Sequence, residues 1–423
     1  MSSADVVVIG AGTVGASIAY ETARRGASVI VLDEGAGIGN GCSYANAGLL
    51  APSHVEPLTT PANVRAGMRY LFEPDGPFHL HPAPRLAPWF ARFVKASAPA
   101  RARKLTARMQ ELAAYSTRMH AAYADRGLDT GYQANGAMDV FLTEKGFESA
   151  AAKHRDGAGL LLQADEARDH EPTLGDIAGG VLRPDEAQVG TQQFVGATLA
   201  AAQEHGAQVR WSTSARLVTR GERVVGVDTV DGRVTGGTYV VAAGLGSEGL
   251  CESVGIRMPM EGAKGYVVDL EVAGDAPRIP LSFRESKVVA TPYSDRLRLC
   301  GTLELGSDPR AISASRVEAI RSAGRRGLPG VRTQRTIQTW AGLRPCTADG
   351  VPSIGRSSIR RDLVVAAGHG MWGLVLAPVT GELVARGIIE AAPTLHEAAF
   401  SPDRFGRIRG GSSHKDDAPV FAA

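Results

Sequence analysis

Residues 6–15 read Val6-Val7-Val8-Ile9-Gly10-Ala11-Gly12-Thr13-Val14-Gly15. Four β-branched residues in a row suit a strand buried on both faces of a parallel sheet. Each following glycine has its own task. Gly10 permits a tight turn, Gly12 lets the backbone approach a pyrophosphate, and Gly15 lets the next helix pack closely on the strand. That helix, opened by Thr13 and Val14, runs to about Arg25 and is ended by Gly26; Ser28–Leu32 then supplies a second strand closing on Asp33. The helix N-terminus offers unpaired N–H groups and a favourable dipole to phosphates. Asp33 follows Gly15 by 18 residues, where an acid accepts hydrogen bonds from ribose hydroxyls, and Glu34 is the adjacent alternative. A lone G-x-G-x-x-G is a weak signal. Strand, turn, helix, strand and acid in order predict dinucleotide binding, and the acid argues against a 2′-phosphorylated ligand.

The motif alone does not separate NAD from FAD. A nicotinamide domain normally continues into further alternating strands and helices. This chain runs instead into Gly39-Asn40-Gly41-Cys42-Ser43-Tyr44-Ala45-Asn46-Ala47-Gly48. Small, turn-forming residues with exposed backbone donors can wrap a pyrophosphate and the edge of a flavin; the plainer alternative is an ordinary glycine-rich turn.

The rest of the composition narrows the class by exclusion. With 423 residues and 44% hydrophobic content the chain can bury a large core, over two or three domains or one interleaved pair. A net charge of +2 gives no general attraction to nucleic acid. Cys42, Cys251, Cys300 and Cys346 are scattered, with no C-x-x-C pair, so neither a metal cluster nor a secreted disulfide framework is expected. The first strand begins too early to leave room for a signal peptide, and the cytoplasm is the expected compartment. Leu363–Val379 carries no charge, but Gly368, Gly370, Gly373 and Pro378 interrupt it. It is predicted as strand, glycine loop and a helix starting near Leu374, not as a span. Arg92, Lys95, Arg101, Arg103, Lys104 and Arg108 form a basic run without acids. It reads as a solvated helix face, with peripheral contact at the inner face of an anionic membrane as the alternative.

Outward from the opening motif, residues 60–127 look helical, with Leu105, Met109, Leu112, Tyr115 and Met119 spaced by three or four. Strands are expected at Gly136–Leu142 and Gly179–Leu182. Gln192–His205 reads as a helix followed by strand Gln208–Trp211, a return to the dinucleotide domain. Tyr266–Leu270, Val288–Thr291 and Leu297–Gly301 alternate with turns, as in an antiparallel sheet roofing the site. Ser313–Arg325 is predicted helical, and Thr336–Leu343 leads into Arg344. The tail after Pro402 is polar and glycine-rich, predicted mobile.

Four ordered blocks carry a family resemblance. They are Ser43-Tyr44-Ala45-Asn46-Ala47-Gly48 with Ala51-Pro52; Val240-Val241-Ala242-Ala243-Gly244; Trp340-Ala341-Gly342-Leu343-Arg344-Pro345 with Asp349-Gly350-Val351-Pro352-Ser353-Ile354-Gly355; and Gly368-His369-Gly370-Met371-Trp372-Gly373-Leu374. Together with the glycine motif they resemble the D-amino-acid oxidase superfamily of FAD-dependent oxidoreductases, nearest to bacterial D-amino-acid dehydrogenases and glycine oxidases. The resemblance covers about residues 5 to 390. It implies an α/β fold in which a Rossmann-like, GR2-type FAD domain is interleaved with an α+β substrate domain built on a mainly antiparallel sheet. The expected FAD-domain segments are 1–60, 189–257 and 344–400, the substrate segments 61–188 and 258–343, with 401–423 as a flexible tail.

It also implies function. A hydride would leave the α-carbon of an amino acid for FAD, giving an imino acid that water hydrolyses to a 2-oxo acid and ammonia; the flavin supplies the hard chemistry. Glycine, sarcosine or a cyclic imino acid are alternative substrates, and quinone and oxygen remain open as electron acceptors. A rival of another class is a flavin-bearing electron-transfer subunit that needs a partner, and an NAD-dependent dehydrogenase is a third reading. The expected cofactor contacts are Gly10, Gly12, Thr13, Val14, Gly15, Asp33 or Glu34, Ser43, Ala45–Leu49, Ala243, Gly244 and Gly368–Leu374. Arg344 is the expected carboxylate clamp, because a planar guanidinium matches a carboxylate with two parallel hydrogen bonds. Tyr293 and, more weakly, Tyr266 could offer a hydroxyl to the substrate, and His54 could approach the flavin ring, while His369 is expected to be structural. Cys346 is a small buried hydrophobe, with a covalent flavin link as the lesser alternative, so FAD is expected to be non-covalent.

Overall fold

The computed structural model describes residues 2–39, 41–70, 76–154, 159–391 and 398–408. Val6, Val7 and Val8 are fully enclosed because their strand, Ser2–Ile9, has parallel partners on both sides, Val29–Leu32 and Gly232–Val241. Gln208–Arg210 extends this sheet beyond Val29–Leu32. Leu363–Ala367 pairs in parallel with the end of Gly232–Val241, and the antiparallel pair Arg216–Arg220 and Arg223–Thr229 forms one edge. The helix Thr13–Ala23 is buried along its whole length between this sheet and helices Thr191–Glu204 and Ala377–Ile389. Glycines on both sides make that closeness possible: a Cβ on Gly381, in helix Ala377–Ile389, would press on the Ser17 backbone, and one on Gly15 on the Gly10 carbonyl.

A second sheet of nine strands faces the first across the site. Its main path runs Arg332–Thr347, Met260–Ala273, Arg296–Leu305, Val288–Tyr293, Leu281–Phe283, Ala137–Phe141, Gly179–Arg183, Leu160–Gln163. Pairing is antiparallel except between Leu281–Phe283 and Ala137–Phe141, and where Phe78–Leu80 adds to Arg296–Leu305. The helix Ala314–Gly327 covers the outer face through Ile320 and Ala323. The fold is the expected α/β arrangement of a parallel sheet and a mainly antiparallel one.

Several expectations need correction. The helical run predicted over 60–127 is interrupted: Pro61–Tyr70, Ala87–Ala96 and Pro99–Asp125 are helices, but Phe78–Leu80 is a strand. Pro99–Asp125 was expected with the substrate segment, yet its apolar stripe of Leu105, Met109 and Leu112 lies in the core of the dinucleotide half. Tyr123 donates to Glu21 at 3.0 Å, His120 meets the Leu374 carbonyl at 3.1 Å, and Ser116 accepts from Val379 N–H at 3.1 Å. Long-range packing decides the attachment of this helix; its own periodicity does not reveal it. The tail expected from 401 is fixed as far as Ile408, because Arg404 forks onto both Asp349 oxygens at 2.9 Å; residues 409–423 lie outside the described residues. Leu363–Ala367 is a buried strand, and the following helix begins at Ala377, three residues later than predicted. Among the described residues no helix is long and apolar enough to cross a membrane.

Candidate active site

Three backbone segments converge at the C-terminal end of the parallel sheet. Gly10, at φ +107°, turns the chain out of the first strand, and a Cβ there would press on the Ala242 carbonyl and Ala243. Gly12 has open space in front of it apart from Ser43 Oγ, which would stand 3.0 Å from an added Cβ. Thr13 N–H donates to that same Ser43 Oγ at 3.2 Å, so the loop 41–48 is tied across the helix N-terminus. Val14 is buried. Asp33 accepts from Ala11 N–H at 2.6 Å and from Gly35 N–H at 2.8 Å, which holds its carboxylate against the glycine turn, whereas Glu34 is exposed. Asn40 lies outside the described residues. A bare glycine turn, a helix N-terminus whose N-cap is the side-chain-free Gly12 and an acid held beside it fit a dinucleotide pyrophosphate and ribose.

The third segment is Gly368–Leu374. Gly368, at φ +79°, abuts Thr347, and the Gly373 carbonyl lies 3.4 Å from Thr13 Oγ1. Trp372 Nε1 donates to the Glu56 carbonyl at 2.7 Å, fixing the short turn Gly370–Trp372. His369 is buried, its Nε2 meets Thr380 Oγ1 at 3.1 Å, and burial pushes its imidazole down to about 4, leaving it neutral.

Two cavities meet here. The smaller, about 60 Å³, lies between Thr13, Ser43, Ala45 and Asn46 on one side and Gly370, Met371, Gly373 and Leu374 on the other. The larger, about 680 Å³, begins at Asn46–Leu49 and Met371–Leu374 and extends along the antiparallel sheet to Leu58, Val64, Phe78, Leu80 and Phe90. Arg344 lines both. Its guanidinium lies over Gly265, and Nη1 donates to the Thr302 carbonyl at 3.1 Å. Among the described residues, no carboxylate lies within ion-pair distance of it.

The other candidates divide. His54 reaches the larger cavity, but its Nε2 is 2.8 Å from Asp139 Oδ1 and 3.3 Å from Arg284 Nη1. Burial opposes charge on Asp139, yet His54, Arg284 and Arg183 together hold it at about 2. Tyr293 is not brought to either cavity. It lies behind Gly48, its hydroxyl donated to the Val189 carbonyl at 3.3 Å and its ring under Arg296 and Arg298. Tyr266 is fully buried and donates to Glu304 at 2.8 Å, so it too belongs to the core. Cys346 is enclosed, and burial pushes its thiol up to about 12.

Sequence reasoning missed Gly265, Thr302 and Cys300, all beside Arg344. Burial raises the Cys300 thiol although Arg344 pulls the other way. A signal existed for one of them: a glycine inside a strand pattern, as in Lys264-Gly265-Tyr266, marks a bulge or a close approach.

This geometry has counterparts. A family model of FAD dependent oxidoreductases matches residues 5–386, and the chain belongs to that family. FAD is therefore its cofactor, as the four blocks implied, and the NAD reading falls away. Among its relatives, a D-amino acid dehydrogenase of Paramagnetospirillum magneticum is 32% identical over 416 residues, covering 95% of this chain and 98% of that one. A D-amino-acid oxidase of Bradyrhizobium diazoefficiens is 32% identical over 420 residues, covering 95% and 98%. Among solved structures, glycine oxidase from Bacillus cereus superposes with a TM-score of 0.73 at 22% identity, over 93% of this chain and 99% of that one. At that identity the likeness concerns the fold.

Proposed function

We propose that the protein oxidises the amine of a D-amino acid to the imine, which water hydrolyses to a 2-oxo acid and ammonia. The observation that carries this reading is Arg344: a guanidinium with no carboxylate partner among the described residues, on the wall shared by both cavities. A cation so placed suits a ligand carboxylate, which it can hold through two parallel N–H···O bonds. FAD, when bound, accepts the hydride. The chain's part is to bind and orient. Gly10, Gly12, Gly15 and the N-terminus at Thr13 and Val14 are assigned to the pyrophosphate, Asp33 to the ribose. Ser43, Ala45–Leu49, Ala243, Gly244 and Gly368–Leu374 are assigned to the remaining cofactor surface. His54, already bound to Asp139 and Arg284, is given no proton-transfer role. Cys346 is buried and lines neither cavity, which supports non-covalent binding.

Cavity shape favours a substrate with a side chain over glycine or sarcosine. The larger cavity continues well past Arg344 along an apolar wall that neither of those substrates would fill. Contact with a membrane finds less support, because three of the six basic residues already have partners, one across the fold and two along their own helices. Arg101 binds Asp349 at 3.0 Å, Arg108 pairs with Glu111 and Arg92 donates to the Pro88 carbonyl. We read that run as a solvated face.

The test is a panel of D- and L-amino acids, glycine and sarcosine. Purified yellow protein is assayed with a dye acceptor and, in parallel, for peroxide. Turnover of D-amino acids by the isolated chain is expected, and the peroxide arm separates oxidase from dehydrogenase. Turnover confined to glycine and sarcosine would reject the substrate reading. No turnover without added protein would support an electron-transfer subunit.

A further inference from the structure

We infer that Gly265 and Thr302 form a built seat that sets the orientation of the Arg344 guanidinium, and so act as positioning residues for substrate carboxylate. The inference rests on the reading of Arg344 given above.

Register defines the seat. Arg344 stands opposite Ala263 in the antiparallel pair of Arg332–Thr347 with Met260–Ala273, so residues 263 and 265 share the face over which its side chain runs. The guanidinium crosses at Gly265. A Cβ there would fall on Cζ and both terminal nitrogens, closer than any van der Waals contact allows. Any other residue would push the group off the strand.

The next strand supplies the anchor. Its pairing with Met260–Ala273 shifts between Lys264 and Tyr266, which oppose Glu304 and Gly301, so Thr302 falls in a bulge. Thr302 is at φ +60°, a conformation unusual for a β-branched residue, and its carbonyl accepts from Arg344 Nη1 at 3.1 Å. The residue is 9% exposed, and its hydroxyl has no partner among the described residues. Backbone strain and an unpaired buried hydroxyl at one position are costly, and they persist where the surroundings over-determine them. What this geometry achieves is a carbonyl aimed at one edge of the guanidinium. With that edge tied, the flat group is held across the cavity wall with its remaining donors directed to a ligand.

The test uses FAD-loaded protein, thermal unfolding, and titration of the flavin spectrum with propionate and with propionamide, which lacks the charge. Gly265→Ala is expected to lower the ratio of propionate to propionamide affinity at least tenfold. It should also lower Tm in the wild-type background but not in Arg344→Ala, where the collision is gone. On ligand affinity, Arg344→Ala should add little to Gly265→Ala, since both remove one interaction. If Arg344→Ala weakens propionate but Gly265→Ala does not, the seat is rejected and the carboxylate reading survives. If Arg344→Ala leaves propionate affinity unchanged, the carboxylate reading itself fails. Should Gly265→Ala fail to fold, folding of the double variant supports the seat, and failure of both variants overturns it.

Discussion

Two arginines on the antiparallel sheet, Arg298 and Arg344, are treated in opposite ways. Arg298 is 3% exposed and forks onto both oxygens of Asp269, at 2.7 Å each, while Nη1 donates to the Asn46 carbonyl at 3.2 Å. Arg344 lies on the cavity wall beside the Cys300 thiol, donating to the Thr302 carbonyl, with no carboxylate partner among the described residues. The paired cation is architecture: it neutralises a buried acid and props up the loop 41–48 from below. Arg344 carries a charge that no acid among the described residues neutralises. An unpaired, partly enclosed charge is expensive, so its placement between two cavities points to a ligand.

The largest effect should come from the architectural member. Asp269→Ala leaves Arg298 buried without its acid, a loss of about 3 to 5 kcal/mol. Chemical denaturation should show that loss, and flavin content should fall as the loop above Asn46 loosens. A stable, fully flavinated variant would erase the contrast between the two arginines.

Asp33→Ala removes the acid that accepts from Ala11 and Gly35 N–H. We predict FAD affinity weaker by about 1.5 to 3 kcal/mol with the fold retained, measured by flavin release. Unchanged affinity would move the ribose contact to Glu34.

A smaller effect concerns the network at the other end of the cavity. Asp139 is held at about 2 against an ordinary 3.8, so its charge stabilises the fold above 3.8, and that contribution is lost as pH falls toward 2. The shift corresponds to about 2 kcal/mol. Neighbouring Glu186 is raised by burial and works in the other direction, so the informative quantity is the difference between wild type and Asp139→Asn. The advantage of wild type over the variant should shrink between pH 4 and 2, as followed by Tm. A gap that does not change with pH would remove the charge on Asp139 from the account.

These contrasts also mark how far the sequence could be read. The Val6–Ile9 strand, the glycine turn and Asp33 were legible because each signal lies within a few residues of its structural consequence. Arg344 was legible through its motif. That no carboxylate among the described residues pairs with it was not, because this depends on the register that sets Arg344 opposite Ala263 and on the bulge at Thr302. Tyr293 misled for the same reason: its strand was predicted, but the hairpin register sends its hydroxyl to Val189, behind the loop. His54 and Asp139 are 85 residues apart, and no local pattern joins them.

The central claim is that the Arg344 guanidinium holds the substrate carboxylate. It is tested most directly by anaerobic reduction of the flavin by a D-amino acid and by its amide, in wild type, Arg344→Lys and Arg344→Ala. Loss of one partner of such a pair costs about 2 to 5 kcal/mol, roughly 30- to 4000-fold. Reduction by the acid should fall by that factor in the Ala variant and by less in Lys, with FAD content unchanged; the amide should reduce wild type poorly and the Ala variant no worse. Equal losses on acid and amide would make Arg344 a structural residue and contradict the account.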